Sequence, residues 1–204
     1  MKKLKDIIKE SSLSRIWKHV TTHDSGTITA FRNRKECGKG EKIFKKENKH
    51  NNVLLKSKLL SMGYGVTEIK GVYIENFKTP DAIAVKETSY IVVDLKDTGK
   101  LKKDLIKLGT YFNQDSITYS KPSGEYYLIS TNKCPSGYPG RGTIGKEVKL
   151  GKPFFGKAGE FYSTVNGRPF VFEGINSNFI NSITDFYPTE IRSIKHWANT
   201  VILD

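Results

Sequence analysis

The chain has 204 residues, 37% of them hydrophobic and 11% aromatic, with a formal charge of +13. That length buries a core without staples, as one domain with additions, and no window is apolar for long enough to span a membrane as a helix. The charge comes mostly from lysines spread along the chain, which suits a solvated surface better than a nucleic-acid face that interleaves basic and stacking aromatic residues.

In chain order, Leu4 to Val20 reads as an amphipathic helix carrying Leu4, Ile7, Ile8, Leu13, Ile16 and Trp17 on one side. Its basic start is interrupted by Asp6, Lys9 and Glu10, so it does not read as a signal peptide. Cys37 and Cys134 lie far apart in sequence, and free thiols in a reducing cytoplasm are the expectation. Thr27 to Phe31 reads as a strand after the breaker Ser25-Gly26, and Arg32 to Lys42, polar and punctuated by glycine, as a loop. A helix is expected from about Phe44 to Ser61, with Leu55, Leu59 and Met62 at helical spacing and Gly63 closing it.

Val66 to Glu75 alternates, with Ile69, Gly71, Tyr73 and Glu75 on one face and Val72 and Ile74 on the other. Thr88 to Leu95 is a buried strand. Asp97 or Thr98 can cap a helix whose Leu101, Leu105, Leu108 and Phe112 form a seam. Ser116 to Tyr119 and Tyr126 to Ser130 make a hairpin across Lys121-Pro122-Ser123-Gly124.

The resulting order, β-α-β-β-α-β with an added strand, predicts an α+β fold of the ferredoxin-like, split βαβ kind, with two helices on one face of an antiparallel sheet. Subunit association is a natural cover for the other face. Residues 1–24 form an N-terminal helical segment and residues 25–131 the core in this reading. Residues 132–204 are a Gly- and aromatic-rich extension of loops and short strands wrapping that core, partly helical near Thr189 to Thr200.

Several stretches invite a chemical reading. Gly140-Arg141-Gly142-Thr143-Ile144-Gly145-Lys146 has phosphate-loop spacing, but a Cys-Pro-Ser-Gly-Tyr-Pro turn precedes it and Glu147 to Gly151 does not read as a helix. His19 and His23 stand one helical turn apart without the glutamate of a zincin motif. Gln114-Asp115 follows the second long helix, where termination and ligand contact both fit. Asn48, Asn51 and Asn52 on the first long helix either orient a ligand or meet water. Glu87 sits against an almost wholly apolar strand, either as a site carboxylate or as a partner for one of many lysines. Tyr73 is either a core tyrosine or a site phenol.

Taken in order, Ile28-Thr29-Ala30-Phe31-Arg32, the asparagine-bearing helix, Gly71-Val72-Tyr73-Ile74-Glu75, Glu87 before Ser89-Tyr90-Ile91-Val92-Val93, and Gln114-Asp115-Ser116-Ile117 resemble the phage S-adenosylmethionine lyases, formerly called hydrolases. The resemblance covers roughly Thr27 to Thr131, with a weaker echo in Gly151 to Phe172. It implies a homotrimer of ferredoxin-like subunits with active sites between neighbours. It also implies cleavage of S-adenosylmethionine to methylthioadenosine and homoserine lactone without metal or cofactor, in a phage counter-defence role.

By position it assigns Glu87 and Tyr73 catalytic roles, with Phe31, Arg32, Asn51, Glu75, Ser89, Gln114 and Asp115 contacting substrate. The family's paired acids before the strand are reduced here to Lys86-Glu87, and the preceding segment is longer, which makes Glu75 the alternative to Glu87. Because free S-adenosylmethionine is a cation, the +13 charge suits a phosphate-bearing relative, the S-adenosylmethionine–AMP conjugate, as an alternative substrate. A basic phage protein that binds nucleic acid or a host factor is the alternative outside enzymes.

Overall fold

The computed structural model describes residues 16–32, 34–36, 39–75, 83–122, 125–134, 140, 142–151, 153–155, 161–165 and 168–172. The helical reading of 4–15 and the C-terminal helix near Thr189 to Thr200 lie outside them.

Alternating apolar residues and two leucine seams produce the expected core. In order it comprises β1 (Ser25–Ile28), α2 (Lys45–Ser61), β4 (Gly65–Glu75), β5 (Ile83–Val93), α3 (Leu101–Tyr111) and β6 (Ser116–Ser120). The N-terminal helix is α1, helical over 16–22. The four core strands lie side by side as β6-β1-β5-β4, every pairing antiparallel, which is the ferredoxin-like order. The hairpin partner β7 (Tyr126–Ser130) follows β6 as expected.

One face of this sheet carries α2 and α3. Leu55 and Leu59 from α2 and Leu101, Leu105 and Leu108 from α3 pack on Ile28, Tyr90, Val92, Ile117 and Tyr119. Gly26 lets α3 and β6 crowd in on β1: a Cβ there would lie 2.6 Å from the Leu105 side chain and 2.3 Å from the Thr118 carbonyl oxygen. The opposite face is partly covered from within the chain. Val20 and Ile16 of α1 pack on Ile69, Ile91 and Val93, so intramolecular packing supplies some of the cover expected from a second subunit.

Several local expectations are corrected. Arg32 to Lys42 is not all loop, since β2 (Arg34–Glu36) pairs with β3 (Lys39–Lys42) as a separate two-stranded sheet. Met62 does not continue the α2 seam; it is the C-cap residue and is 48% exposed, with Gly63 beyond it at φ 87°. Neither Asp97 nor Thr98 caps α3: its N-cap is Lys100, and the Thr98 hydroxyl donates instead to Asp94 at 2.7 Å.

The strands after residue 131 extend the sheet rather than wrap it. β8 (Glu147–Gly151) joins β7, while β10 (Phe161–Val165), β11 (Arg168–Phe172) and β9 (Pro153–Phe155) continue outward from β4, giving nine strands. Cys134 is buried and disulfide-bonded, which corrects the expectation of free thiols and removes the support it gave to a reducing compartment.

Candidate functional site at the open end of the sheet

The sequence-predicted residues gather at one end of the core sheet, where β1 runs out, β5 begins its buried half and α3 hands over to β6. Asn48 and Asn52, one turn apart on α2 and both buried, reach the backbone leaving β1. The Ala30 N–H donates to Asn52 Oδ1 at 2.8 Å, and Asn52 Nδ2 donates to the Thr88 carbonyl at 3.2 Å. The Arg32 N–H donates to Asn48 Oδ1 at 2.8 Å, and Asn48 Nδ2 returns a bond to the Arg32 carbonyl at 2.9 Å. Each amide thus has its orientation dictated by backbone partners. The Thr29 hydroxyl also donates to the Thr88 carbonyl, at 2.8 Å, and accepts from the Phe31 N–H at 3.0 Å. The Tyr90 hydroxyl donates to the Asn52 carbonyl at 3.1 Å, fixing that helical turn to β5.

Arg32 then crosses to the corner after α3. Its guanidinium donates to the Asn113 carbonyl and lies 3.1 Å from Asp115 Oδ1. The Asp115 carboxylate also accepts from Asn132 Nδ2, and the Asp115 carbonyl accepts from the Thr131 N–H at 3.1 Å. Gln114 is buried; its N–H caps α3 on the Gly109 carbonyl at 2.8 Å and its own carbonyl accepts from the Thr131 hydroxyl at 2.6 Å. Asn113 turns the chain at φ 52°, a conformation asparagine tolerates, and holds the Lys35 carbonyl at 2.8 Å through Nδ2. Arg32, Gln114 and Asp115 are therefore brought together as parts of a knitted corner, in which the helix-termination reading of 114–115 has its physical basis.

Glu87 and Ser89 lie one strand away, both half-buried. The β4–β5 register pairs Gly71 with Glu87 and Ile69 with Ser89. Alternation puts these positions on the face opposite α2 and α3, the face on which α1 packs against Ile69 and Ile91. Further along the same register Tyr73 pairs with Val85 and Glu75 with Ile83. Gly71 stands across from Glu87 and has room for a Cβ: one there would sit 3.8 Å from the Glu87 carbonyl oxygen and 3.9 Å from Ser89 Oγ, in ordinary contact, so the glycine is not forced by crowding. Asn51, singled out from its helix, is half-buried and takes no part in the clamp made by Asn48 and Asn52.

The far end of β1 is closed. The Asp94 N–H donates to the Asp24 carbonyl at 2.9 Å, continuing the ladder. The Tyr119 hydroxyl donates to Asp24 Oδ2 at 2.8 Å, and the Ser25 and Tyr126 hydroxyls are 2.8 Å apart. Burial, followed by the Asp24 carboxylate, raises the Tyr119 phenol well above its ordinary range. Burial likewise pushes Tyr126 up to about 12 against the opposing pull of the Ser25 bond.

Two other candidates are used up structurally. In the glycine-rich stretch the Thr143 and Gly145 N–H groups donate to the Gly140 and Ser130 carbonyls, each at 2.9 Å, and a strand follows in place of a helix. His19 and His23 have ring centroids 5.8 Å apart, and His23 Nδ1 lies 2.9 Å from Asp97 Oδ1. Among the described residues no group of three or more His, Cys, Asp or Glu could hold a metal.

An α+β protein built on a ferredoxin-like sheet is the class to which this arrangement belongs, and comparison supplies the family. Residues 27–173 match the S-adenosylmethionine lyase family. The chain belongs to that family and is an enzyme of its kind. Among solved structures it is similar to a phage SAM lyase in its apo state, at 14% identity over 62% of this chain and 86% of that one, with a TM-score of 0.27. Among curated proteins none matches. No helix among the described residues is long and apolar enough to cross a membrane.

Proposed function

We propose that the protein cleaves S-adenosylmethionine into methylthioadenosine and homoserine lactone at the open end of its sheet. In this reaction the substrate's own carboxylate attacks its γ-carbon, the γ-carbon–sulfur bond breaks, and the sulfur leaves as a neutral thioether. Both charges vanish in the process, so a site drier than water favours the transition state. Holding the chain in the reactive conformer converts the attack into an intramolecular one worth an effective molarity of roughly 10⁵–10⁸ M. The protein then needs to supply little beyond anchoring and shape.

In this reading Glu87 anchors the substrate ammonium across from Gly71, and Tyr73 steers the chain, with Glu75 as the alternative anchor. Phe31, Arg32, Asn51, Ser89, Gln114 and Asp115 frame the adenosyl group and the carboxylate. A homotrimer in which a neighbour closes the face around Glu87 completes the proposal. A host-cytoplasmic counter-defence role would follow from consuming the methyl donor that host modification requires.

The observation that carries the reading is the family match over 27–173, which takes in every one of these residues. Incubation with S-adenosylmethionine and chromatographic product analysis tests it: equimolar methylthioadenosine and homoserine lactone are expected, and intact substrate would overturn it. The net charge of +13 favours one second reading, turnover of the anionic S-adenosylmethionine–AMP conjugate. That reading expects rates on the conjugate that fall steeply with salt, with free S-adenosylmethionine barely cut.

A further inference from the structure

Strands β1 and β5 pair in one phase along their length. Asp24 and Asp94 share a direct ladder bond, and the register continues through Gly26 with Val92 and Ile28 with Tyr90. Hydrogen-bonded pairs alternate in an antiparallel ladder, so Ala30 and Thr88 are the next pair due to bond directly. The Ala30 N–H goes instead to Asn52 Oδ1, and the Thr88 carbonyl receives Asn52 Nδ2 and the Thr29 hydroxyl. One side-chain amide from α2 is thus inserted where a single backbone bond would have closed the strands. A turn earlier on the helix, Asn48 gives the Arg32 N–H and carbonyl the two bonds a neighbouring strand would give.

We propose that Asn52 is a wedge and, with Thr29, a positioning pair: together they hold β1 and β5 apart at Ala30 and Thr88 and so set the spacing between Phe31 and Glu87. Neither group touches the reacting atoms in this account. Both act on the Thr88 carbonyl, whose residue is bonded directly to Glu87, and both fix the backbone that presents Phe31. The pair is built for placement: the wedge is a buried amide whose Oδ1 and Nδ2 both meet backbone partners, and its helical turn is tied to β5 by Tyr90. Misplacing a positioned group by about 1 Å costs around a hundredfold in rate, so a small collapse of the fork is enough to be seen. The inference rests on the proposed turnover of S-adenosylmethionine.

The test compares Asn52→Leu, Thr29→Val and Thr29→Ser with the wild type and with Glu87→Gln, reading kcat and KM for S-adenosylmethionine, calorimetric affinity for it and thermal melting. Expected are a tenfold or greater fall in kcat for Asn52→Leu and Thr29→Val with KM within threefold, and near wild-type behaviour for Thr29→Ser, which keeps the hydroxyl. Should Asn52→Leu not fold, the isosteric Thr29→Val decides. Folded Asn52→Leu and Thr29→Val proteins with wild-type kcat, alongside an inactive Glu87→Gln, would overturn the wedge and leave the role of Glu87 standing. A fully active Glu87→Gln would remove Glu87 and overturn the wedge as the device that sets the Phe31–Glu87 spacing. A wild type that neither cleaves nor binds S-adenosylmethionine would sink both.

Discussion

The two ends of β1 are made from the same pair of strands and are finished in opposite ways. At the Asp24 end the ladder runs on, and buried hydroxyls of Tyr119, Tyr126 and Ser25 seal it. At the Ala30 end the ladder is interrupted by Asn52, and the chain leaves through a corner held by Arg32, Asp115 and Asn132. Hydrogen bonds at the first end join elements that already touch, while those at the second hold elements apart. The contrast separates a region that carries stability from the one proposed to carry the site, and substitutions at the two ends should therefore move different observables.

The largest effect is expected at the open end. Glu87→Gln should lower kcat/KM for S-adenosylmethionine about a hundredfold, the scale on which a preorganised polar group acts. At the closed end, Tyr119→Phe should cost about 1.5 kcal/mol in urea unfolding by removing a bond to a carboxylate, with turnover unchanged. A Tyr119→Phe protein of normal stability and poor activity would invert the comparison.

Gly71→Val places a side chain across from Glu87 without a clash at Cβ. About a tenfold loss of activity should accompany equal or higher stability, because valine suits a strand better than glycine by up to about 1 kcal/mol. The smallest effect is alkaline. Tyr126 titrates at about 12 in the fold against 10.0 for a free phenol, so its contribution is complete below pH 10 and is lost as pH rises toward 12. Melting temperature should fall across that window, and less steeply in Tyr126→Phe.

Much of this was readable in advance. The β-α-β-β-α-β order followed from the strand reading of 66–75, an apolar run at 90–93 and a leucine seam at 101–108, and those elements are the ones the structure has. The β2–β3 hairpin was missed because Arg34–Glu36 and Lys39–Lys42 are almost wholly polar and carry no alternation to detect. The disulfide was missed because two distant cysteines carry no pairing information.

The clamp of Asn48 and Asn52 is the more instructive miss. Asparagine on a helix reads as solvent-facing, and the family resemblance points to Asn51 instead. Yet Asn48, Asn52, Leu55 and Leu59 follow one another at spacings of four, three and four and are the buried residues of α2. Two polar residues on an apolar stripe were the available signal, since burying them requires partners.

The attachment of β10 to β4 bears on how the molecule is made. Phe161 pairs with Tyr73 and Ser163 with Gly71, so the rim of the tyrosine-bearing strand is sealed by residues synthesised long after it. A nascent chain released from the ribosome only as far as β8 would carry that rim bare, with its N–H and carbonyl groups open to any extended peptide nearby. Premature termination would then yield an adhesive product rather than merely a shorter one.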